Sequence, residues 1–305
     1  MSKKTSLKAV PAIAIVRATG NETPAKTLPD FLVERAVKAA LDEDLGLAGD
    51  ITTRATVPDT TLANAAITAR APGCIAGLQC AEAVFRFLDP AISFEAIVSD
   101  GGDVKPGDTV ARVSGPAAAI LTGERVALNF LCHMSGIATA TRAFVKAIEG
   151  TDAHICCTRK TTPGLRAFEK YAVRAGGGQN HRFGLYDAVL IKDNHIAAAR
   201  GVGAAVTRAR DHAGHMTKIE IEVDTLNQLD EVLLLDVDAV LLDNMNLDEL
   251  AEAVRRAEGK VVTEASGGVT LETVREIAET GVDLISVGSL THSPKALDLG
   301  LDFLP

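Results

Sequence analysis

Apolar and polar positions change rhythm twice along this chain. Phe31, Val33, Val37, Ala40 and Leu41 follow a partly helical spacing, with Asp30 as the expected N-cap, and Gly46 and Gly49 end the pattern. Between residues 62 and 113 the apolar runs shorten and Gly and Pro multiply. Residues 65–68, 92–98 and 109–113 predict strands around one short helix, 81–88, which makes an α+β region. Pro116 sits where a helix start tolerates proline, and a helix is predicted from there to about Ile148, with Gly136 as a candidate break. After Thr151 six short apolar runs, at 154–157, 188–191, 219–223, 239–242, 261–264 and 284–287, alternate with amphipathic segments such as 226–234, 247–257 and 271–280. Such alternation predicts parallel strands joined by right-handed crossovers. Six strands fall short of the eight of a closed barrel, so the second half is expected to be an incomplete or irregular parallel α/β barrel or an open sheet.

The expected organisation is a variable arm at 1–27, a first domain at 28–125, a barrel domain at 126–290 and a C-terminal segment, 291–305, returning to the first domain. Lys3, Lys4 and the apolar residues 9–16 loosely imitate a secretory signal, but Pro11 interrupts the run and Arg17 ends it. Gly102 to Val110 has the turn-rich look of a biotinyl or lipoyl carrier hairpin. Lys105 stands before a Pro-Gly turn without the carrier motif, so a plain β-turn is expected.

Composition narrows the class. The 305 residues are 47% hydrophobic, with no Trp, two Tyr and nine Phe, so the core must be aliphatic. A net charge of -9 argues against nonspecific nucleic-acid or anionic-membrane binding. Five scattered cysteines fit reduced thiols in a cytoplasmic protein. There is no CxxC, HExxH, Walker A, GxGxxG or GxSxG sequence, which sets aside structural zinc, zinc hydrolysis, P-loops, dinucleotide folds and nucleophile elbows.

Ligands of parallel α/β folds bind at the C-terminal strand ends. Just past, or at, the six expected strands stand Thr158-Arg159-Lys160, Lys192-Asp193-Asn194-His195, Glu222 with Asp224, Asp243-Asn244, Ser266-Gly267-Gly268 and Gly288-Ser289. Asn, Asp, Ser and Gly there are ordinary turn residues, but Arg-Lys and Lys are not. Residues 159–192 hold seven Arg and Lys against Glu169 and Asp187, a local charge of +5 that leaves -14 for the remainder. Lys170 and Arg174, at i, i+4 spacing, are expected on a solvated helix face. Arg159, Lys160, Arg182 and Lys192, with His181 as a further donor, suggest an anion site. Ser266-Gly267-Gly268 and Gly288-Ser289 could cradle a phosphate. Glu222 and Asp243, on consecutive strands ~4.8 Å apart, suit either a divalent cation with sugar hydroxyls or an acid/base pair, and the basic cluster favours the cation.

These residues, in this order, resemble the quinolinate phosphoribosyltransferase family. The resemblance runs from about residue 28 onward. It is carried by Thr158-Arg159-Lys160-Thr161-Thr162-Pro163-Gly164-Leu165-Arg166, Lys170-Tyr171-Ala172-Val173, Gly176-Gly177-Gly178-Gln179-Asn180-His181-Arg182, Lys192-Asp193-Asn194-His195, Glu220-Ile221-Glu222-Val223-Asp224 and Leu242-Asp243-Asn244. Ser266-Gly267-Gly268 and Val287-Gly288-Ser289-Leu290-Thr291-His292-Ser293 complete it. The resemblance implies an N-terminal α/β sandwich domain, an irregular barrel, and conversion of quinolinate and phosphoribosyl pyrophosphate to nicotinate mononucleotide, pyrophosphate and CO2 with Mg2+. It implies Arg159, His181, Arg182 and Lys192 around quinolinate, with Arg125 reaching a neighbouring subunit's pocket in a dimer or larger assembly. It implies Lys160, Glu222, Asp243 and His292 for the phosphoribosyl pyrophosphate and its metal, which Glu222 and Asp243 would hold indirectly, with Lys160, Lys192, Glu222 and Asp243 as the catalytic set. Glycine loops 266–268 and 288–289 would hold the 5′-phosphate. The two-acid, Thr-Gly loop of type I phosphoribosyltransferases is missing from both the family and this chain. Cys156-Cys157 is expected to lie clear of the substrate. Rival readings are a same-fold paralogue associated with molybdenum transport, a Schiff-base aldolase using Lys192 and a non-catalytic dicarboxylate sensor.

Overall fold

The computed structural model describes residues 27–305, so the expected arm lies almost wholly outside the described residues. The first half runs α1 (Asp30–Leu45), α2 (Ile51–Thr56), β1 (Leu62–Ala69), β2 (Gly73–Cys74), α3 (Leu78–Leu88), β3 (Ser93–Ala96), β4 (Asp103–Val104), β5 (Thr109–Pro116) and α4 (Ala117–Ala147). The second half runs β6 (His154–Cys156), α5 (Arg166–Ala175), β7 (Val189–Ile191), α6 (Asp193–Ala199), α7 (Val202–His212), β8 (Ile219–Val223), α8 (Leu226–Val232) and β9 (Ala239–Asp243). It ends with α9 (Leu247–Ala257), β10 (Val262–Ser266), α10 (Val274–Glu279), β11 (Leu284–Ser286), α11 (Ser289–His292) and β12 (Leu299–Phe303).

The first sheet is antiparallel in the order β12-β1-β5-β3. Its strand β12 comes from the far end of the chain, pairing Ala65 with Phe303 and Ala69 with Leu299. Helix α3 packs against both α1 and α4, burying Cys80, Ala81, Val84 and Phe85. Two local expectations are corrected here. Asp30 is the first helical residue rather than the N-cap, which is Pro29. Its carboxylate instead accepts a hydrogen bond from Gln79 Nε2 at 2.9 Å, because the turn is tethered to α3. Helix α10 begins at Val274, not near Leu271, because Thr270 to Thr273 form a hydroxyl-bonded turn first.

The second sheet is parallel in the order β6-β11-β10-β9-β8-β7. It stays open between β6 and β7, where Gln179 alone bridges to Cys156. One face of β6, β8, β9 and β11 is aliphatic: Ile155, Ile219, Ile221, Val223, Val240, Leu242 and Ile285 are at most 1% exposed. Capping boxes at Thr225/Gln228 and Asn246/Glu249 start α8 and α9 by satisfying otherwise orphaned N–H groups.

Helix α4 joins the two halves and does not break at Gly136. Gly136 marks a close approach instead: a Cβ there would sit 2.2 Å from the Lys295 carbonyl oxygen. Gly176 plays the same part from the other side, where a Cβ would meet the Ala138 carbonyl oxygen at 2.5 Å. Cys74 and Cys80 are core residues as expected, whereas Cys132 is only half-buried. Among the described residues no helix is long and apolar enough to cross a membrane.

Candidate active site

A cleft of about 700 Å³ opens at the C-terminal ends of the six parallel strands. Side chains alternate across a strand, so Leu190 and Lys192, Leu241 and Asp243, and Glu264 and Ser266 enter the cleft in pairs two residues apart. The intervening aliphatic residues face the surrounding helices. Thirteen of the fourteen expected site residues line this one cleft; the exception is Arg125, exposed on α4.

The basic wall comes from two loops. Arg159 and Lys160 follow β6, and His181 and Arg182 lie on the loop that precedes β7. The Nε atoms of Arg159 and Arg182 are both buried and have no partner. Arg182 Nη1 donates to the Ala188 carbonyl at 2.9 Å, which fixes the fork. Burial, and then the charge of Arg159, pulls the Arg182 pKa down. Two like charges are thus held together, and among the described residues no acceptor meets the two Nε–H groups.

The acidic wall is close by. Lys192 Nζ donates to Glu222 Oε2. Asp243 Oδ2 accepts from Asn244 Nδ2 at 2.6 Å. Asn244 adopts φ +54°, and a Cβ on Gly267 would lie 2.1 Å from its Oδ1, so glycine is required there. Gly268, at φ +58°, continues the turn with open space around it. At the third edge Gly288 lies under Lys160 and His292; a Cβ on it would meet Lys160 Cδ at 3.1 Å and His292 Nε2 at 3.6 Å. Thr291 Oγ1 donates to the Lys160 carbonyl at 2.7 Å and locks that corner. Ser266 and Ser289 complete the glycine-bearing rims.

Beneath the basic wall lies a cluster that strand-end reasoning missed. His181 Nε2 sits 2.8 Å from Glu220 Oε2 and 3.7 Å from Glu264 Oε1, and Ser286 Oγ donates to Glu264. His181 Nδ1 accepts the Arg182 backbone N–H at 2.7 Å. Nε2 therefore carries the proton and donates to Glu220, and both ring nitrogens are engaged within the protein. His181, expected as a further donor, lines the cleft with its N–H turned to Glu220. Burial opposes a charge on His181, but the hydrogen bond to Glu220 and the fields of Glu264 and Glu220 outweigh it and raise its pKa. Burial, with repulsion from Glu220, pushes Glu264 up to about 7. The signal for this cluster was the strict alternation Ile219-Glu220-Ile221-Glu222-Val223, which aims two carboxylates inward.

A pH dependence of stability follows. Between the ordinary carboxylate value and about 7, the folded chain keeps a proton on Glu264 that the unfolded chain has lost. Stability therefore falls as pH rises across that window. His181 acts in the same sense, because stability from a raised imidazole pKa is present below its unfolded value and lost as pH rises through the folded one. Glu264→Gln should flatten this slope, so that its denaturant midpoint gains on the wild type between pH 5 and pH 8. Parallel midpoints at both pH values would refute the assignment.

Lys170 departs from expectation as well. Arg174 is exposed as expected, but Lys170 is fully buried. Its Nζ donates to the His181 carbonyl at 2.8 Å and to Cys157 Sγ at 3.0 Å. Helix α5 turns this edge inward because Phe168, Tyr171 and Ala172 pack into the core beside it.

Comparison with known proteins agrees with this architecture. Residues 50–135 match the family model of the quinolinate phosphoribosyl transferase N-terminal domain, and residues 137–302 match that of its C-terminal domain. The chain is 46% identical over 271 residues to the nicotinate-nucleotide pyrophosphorylase [carboxylating] of Mycobacterium leprae, covering 87% of this chain and 95% of that protein. It is 44% identical over 292 residues to a mitochondrial quinolinate phosphoribosyltransferase [decarboxylating] of Nicotiana tabacum, covering 90% and 82%. NadC from Streptococcus pyogenes superposes with a TM-score of 0.88 at 40% identity, covering 92% of this chain and 99% of that one.

Proposed function

The chain belongs to the quinolinate phosphoribosyl transferase family, and from that premise we infer its reaction. Phosphoribosyl passes from phosphoribosyl pyrophosphate to quinolinate, which loses CO2 and leaves as nicotinate mononucleotide, with release of pyrophosphate, in de novo NAD biosynthesis. The observation that carries this reading is the pair of buried, partnerless guanidinium Nε atoms of Arg159 and Arg182. Buried donors without acceptors are rare, and a planar dicarboxylate supplies acceptors in the fork geometry that arginine matches.

Charge dictates the roles of the remaining residues. Quinolinate and phosphoribosyl pyrophosphate are both polyanions, and Arg159, Arg182, Lys160 and Lys192 offset their repulsion. The 266–268 and 288–289 rims present backbone N–H groups and Ser hydroxyls to the 5′-phosphate. His292, beside Lys160, faces the same polyanion. Glu222 and Asp243 are the residues that would hold Mg2+, directly or through water. Two carboxylates with no soft donor between them fit a hard, oxygen-seeking cation. When bound, Mg2+ supplies charge stabilisation to departing pyrophosphate.

The pyridine nitrogen displaces pyrophosphate at C1 of the ribose, and the bonding pair leaves with pyrophosphate. The now cationic ring accepts the electron pair released as the adjacent carboxylate departs as CO2, and a proton takes its place. Lys192, held against Glu222, brings its charge to the cleft at the end of β7. Catalysis on this reading is positioning and electrostatics, without a protein nucleophile. Five free thiols suit a reducing cytoplasm as the place of work.

Purified protein with quinolinate, phosphoribosyl pyrophosphate and Mg2+ should yield nicotinate mononucleotide and CO2. No product across a range of pH and metal ions would overturn the reading. Arg125, exposed and not among the residues lining its own cleft, is assigned to the cleft of a second copy in a homodimer or larger homo-oligomer. Arg125→Ala and Lys192→Ala chains, each inactive alone, should recover about a quarter of wild-type activity when mixed equally as dimers, since half the dimers are mixed and each has one intact site. Verified mixed dimers without activity would refute the sharing.

A further inference from the structure

The strongest unexplained feature outside the cleft is Lys170. It is fully buried, does not line the cleft, and none of the ion pairs among the described residues involves it. Burying an amine without a carboxylate partner costs stability unless hydrogen bonds compensate. What Lys170 does with its donors is specific. One goes to the His181 carbonyl at 2.8 Å and one to Cys157 Sγ at 3.0 Å. The ring of Phe183 covers it, 5.2 Å from Nζ.

Those two partners belong to different loops. Cys157 stands two residues before Arg159, and His181 stands directly before Arg182. Between the loops themselves, Cys157 donates its N–H to the Gln179 carbonyl at 3.1 Å and its thiol to Asn180 Oδ1 at 3.2 Å, and Gln179 returns its N–H to the Ile155 carbonyl at 2.8 Å. This is also the place where the barrel is open, so no full strand pairing fixes the spacing. The rest of α5 braces the same two loops. Arg166 donates to Thr161 Oγ1 at 3.0 Å and to the Phe183 carbonyl at 2.9 Å. Glu169, also fully buried, accepts the Thr162 N–H at 3.1 Å.

We propose that Lys170 is a positioning residue for the dicarboxylate subsite: its buried amine ties the Arg159 loop to the His181–Arg182 loop across the open seam of the barrel and so sets the separation of the two guanidinium groups. The proposal rests on the reading of Arg159 and Arg182 as the quinolinate anchors. Two forks recognise two carboxylates only at a fixed spacing, and misplacement of about 1 Å at such a site costs on the order of 10²-fold in rate. Most of the phosphoribosyl pyrophosphate side of the cleft, built on β8 to β11, lies outside this joint, and Lys160, next to Arg159, is held separately by Thr291 Oγ1 on its carbonyl at 2.7 Å.

The test is steady-state kinetics and quinolinate binding by calorimetry for Lys170→Met and Lys170→Gln. Met fills the same volume without a donor. It should raise the KM and Kd for quinolinate at least about tenfold, with the KM for phosphoribosyl pyrophosphate within about twofold. Gln, which keeps a donor with shorter reach, should fall between Met and wild type. If the Met variant fails to fold, the Gln variant is read alone, and a raised quinolinate KM with an unchanged cosubstrate KM supports the proposal. A folded Met or Gln variant with wild-type constants for both substrates overturns it, as does an equal loss for both substrates. A wild-type protein that neither binds nor converts quinolinate overturns the functional reading and this proposal together, whereas a normal Lys170→Met enzyme overturns the proposal alone.

Discussion

Arg182→Ala should lower kcat/KM for quinolinate by about 10² or more, with the KM for phosphoribosyl pyrophosphate nearly unchanged. The Arg182 guanidinium has already met the cost of burial and of repulsion by Arg159, which together depress its pKa. Its Nη1 is committed to the Ala188 carbonyl, and its buried Nε has no partner until a ligand arrives. Removing one member of a buried charged hydrogen-bonded pair costs about 2–5 kcal/mol, and each 1.36 kcal/mol is tenfold in rate. Arg182→Lys should restore little, since a point charge cannot reproduce the fork. Steady-state kinetics with each substrate varied in turn decides the matter. A kcat/KM within threefold of wild type would remove Arg182 from the carboxylate site and with it the main support for the reaction.

Gly136→Ala should destabilise the fold by about 2 kcal/mol, measured by denaturant unfolding. Two effects oppose each other. Ala is preferred over Gly inside a helix by about 1 kcal/mol, and Gly136 lies well inside α4. Against that, the new Cβ would stand 2.2 Å from a backbone oxygen and 3.0 Å from Ala296 Cα. Neither is the yielding tip of a side chain, so the helix and the 295–297 segment must separate, and overpacking of this kind costs about 1–3 kcal/mol and occasionally more. The clash wins. Separation also strains the bond from Leu297 N to the Cys132 carbonyl, which leads the chain toward β12 and its place in the first sheet. An Ala variant as stable as the wild type would show that this contact is slack.

Much of this architecture was legible in the residue order. Short aliphatic runs between amphipathic segments located all six parallel strands to within a residue or two. Both follow from local physics, since strand and helix periods are properties of consecutive residues. The charge excess between Arg159 and Lys192 pointed to the basic wall, because Arg and Lys directly after a strand have no turn role. Lys170 shows where that reasoning stops. Its i, i+4 partner Arg174 is exposed, and nothing in the spacing distinguishes the two. Only the packing of α5 against α4 turns one lysine into the interior and leaves the other in water.

The inward carboxylates Glu220 and Glu264 were visible as an alternation but not as neighbours of His181. That neighbourhood depends on the loop before β7 folding back beside β6, and loop paths carry no periodicity. The sequence by itself determined the order of elements, the aliphatic core, the polar strand ends and the family. The tertiary structure alone decided which of those polar groups share a cavity, which are engaged with one another, and which wait for a ligand. Strands register with their neighbours through local pattern, whereas two loops far apart in sequence meet only after the core between them has closed.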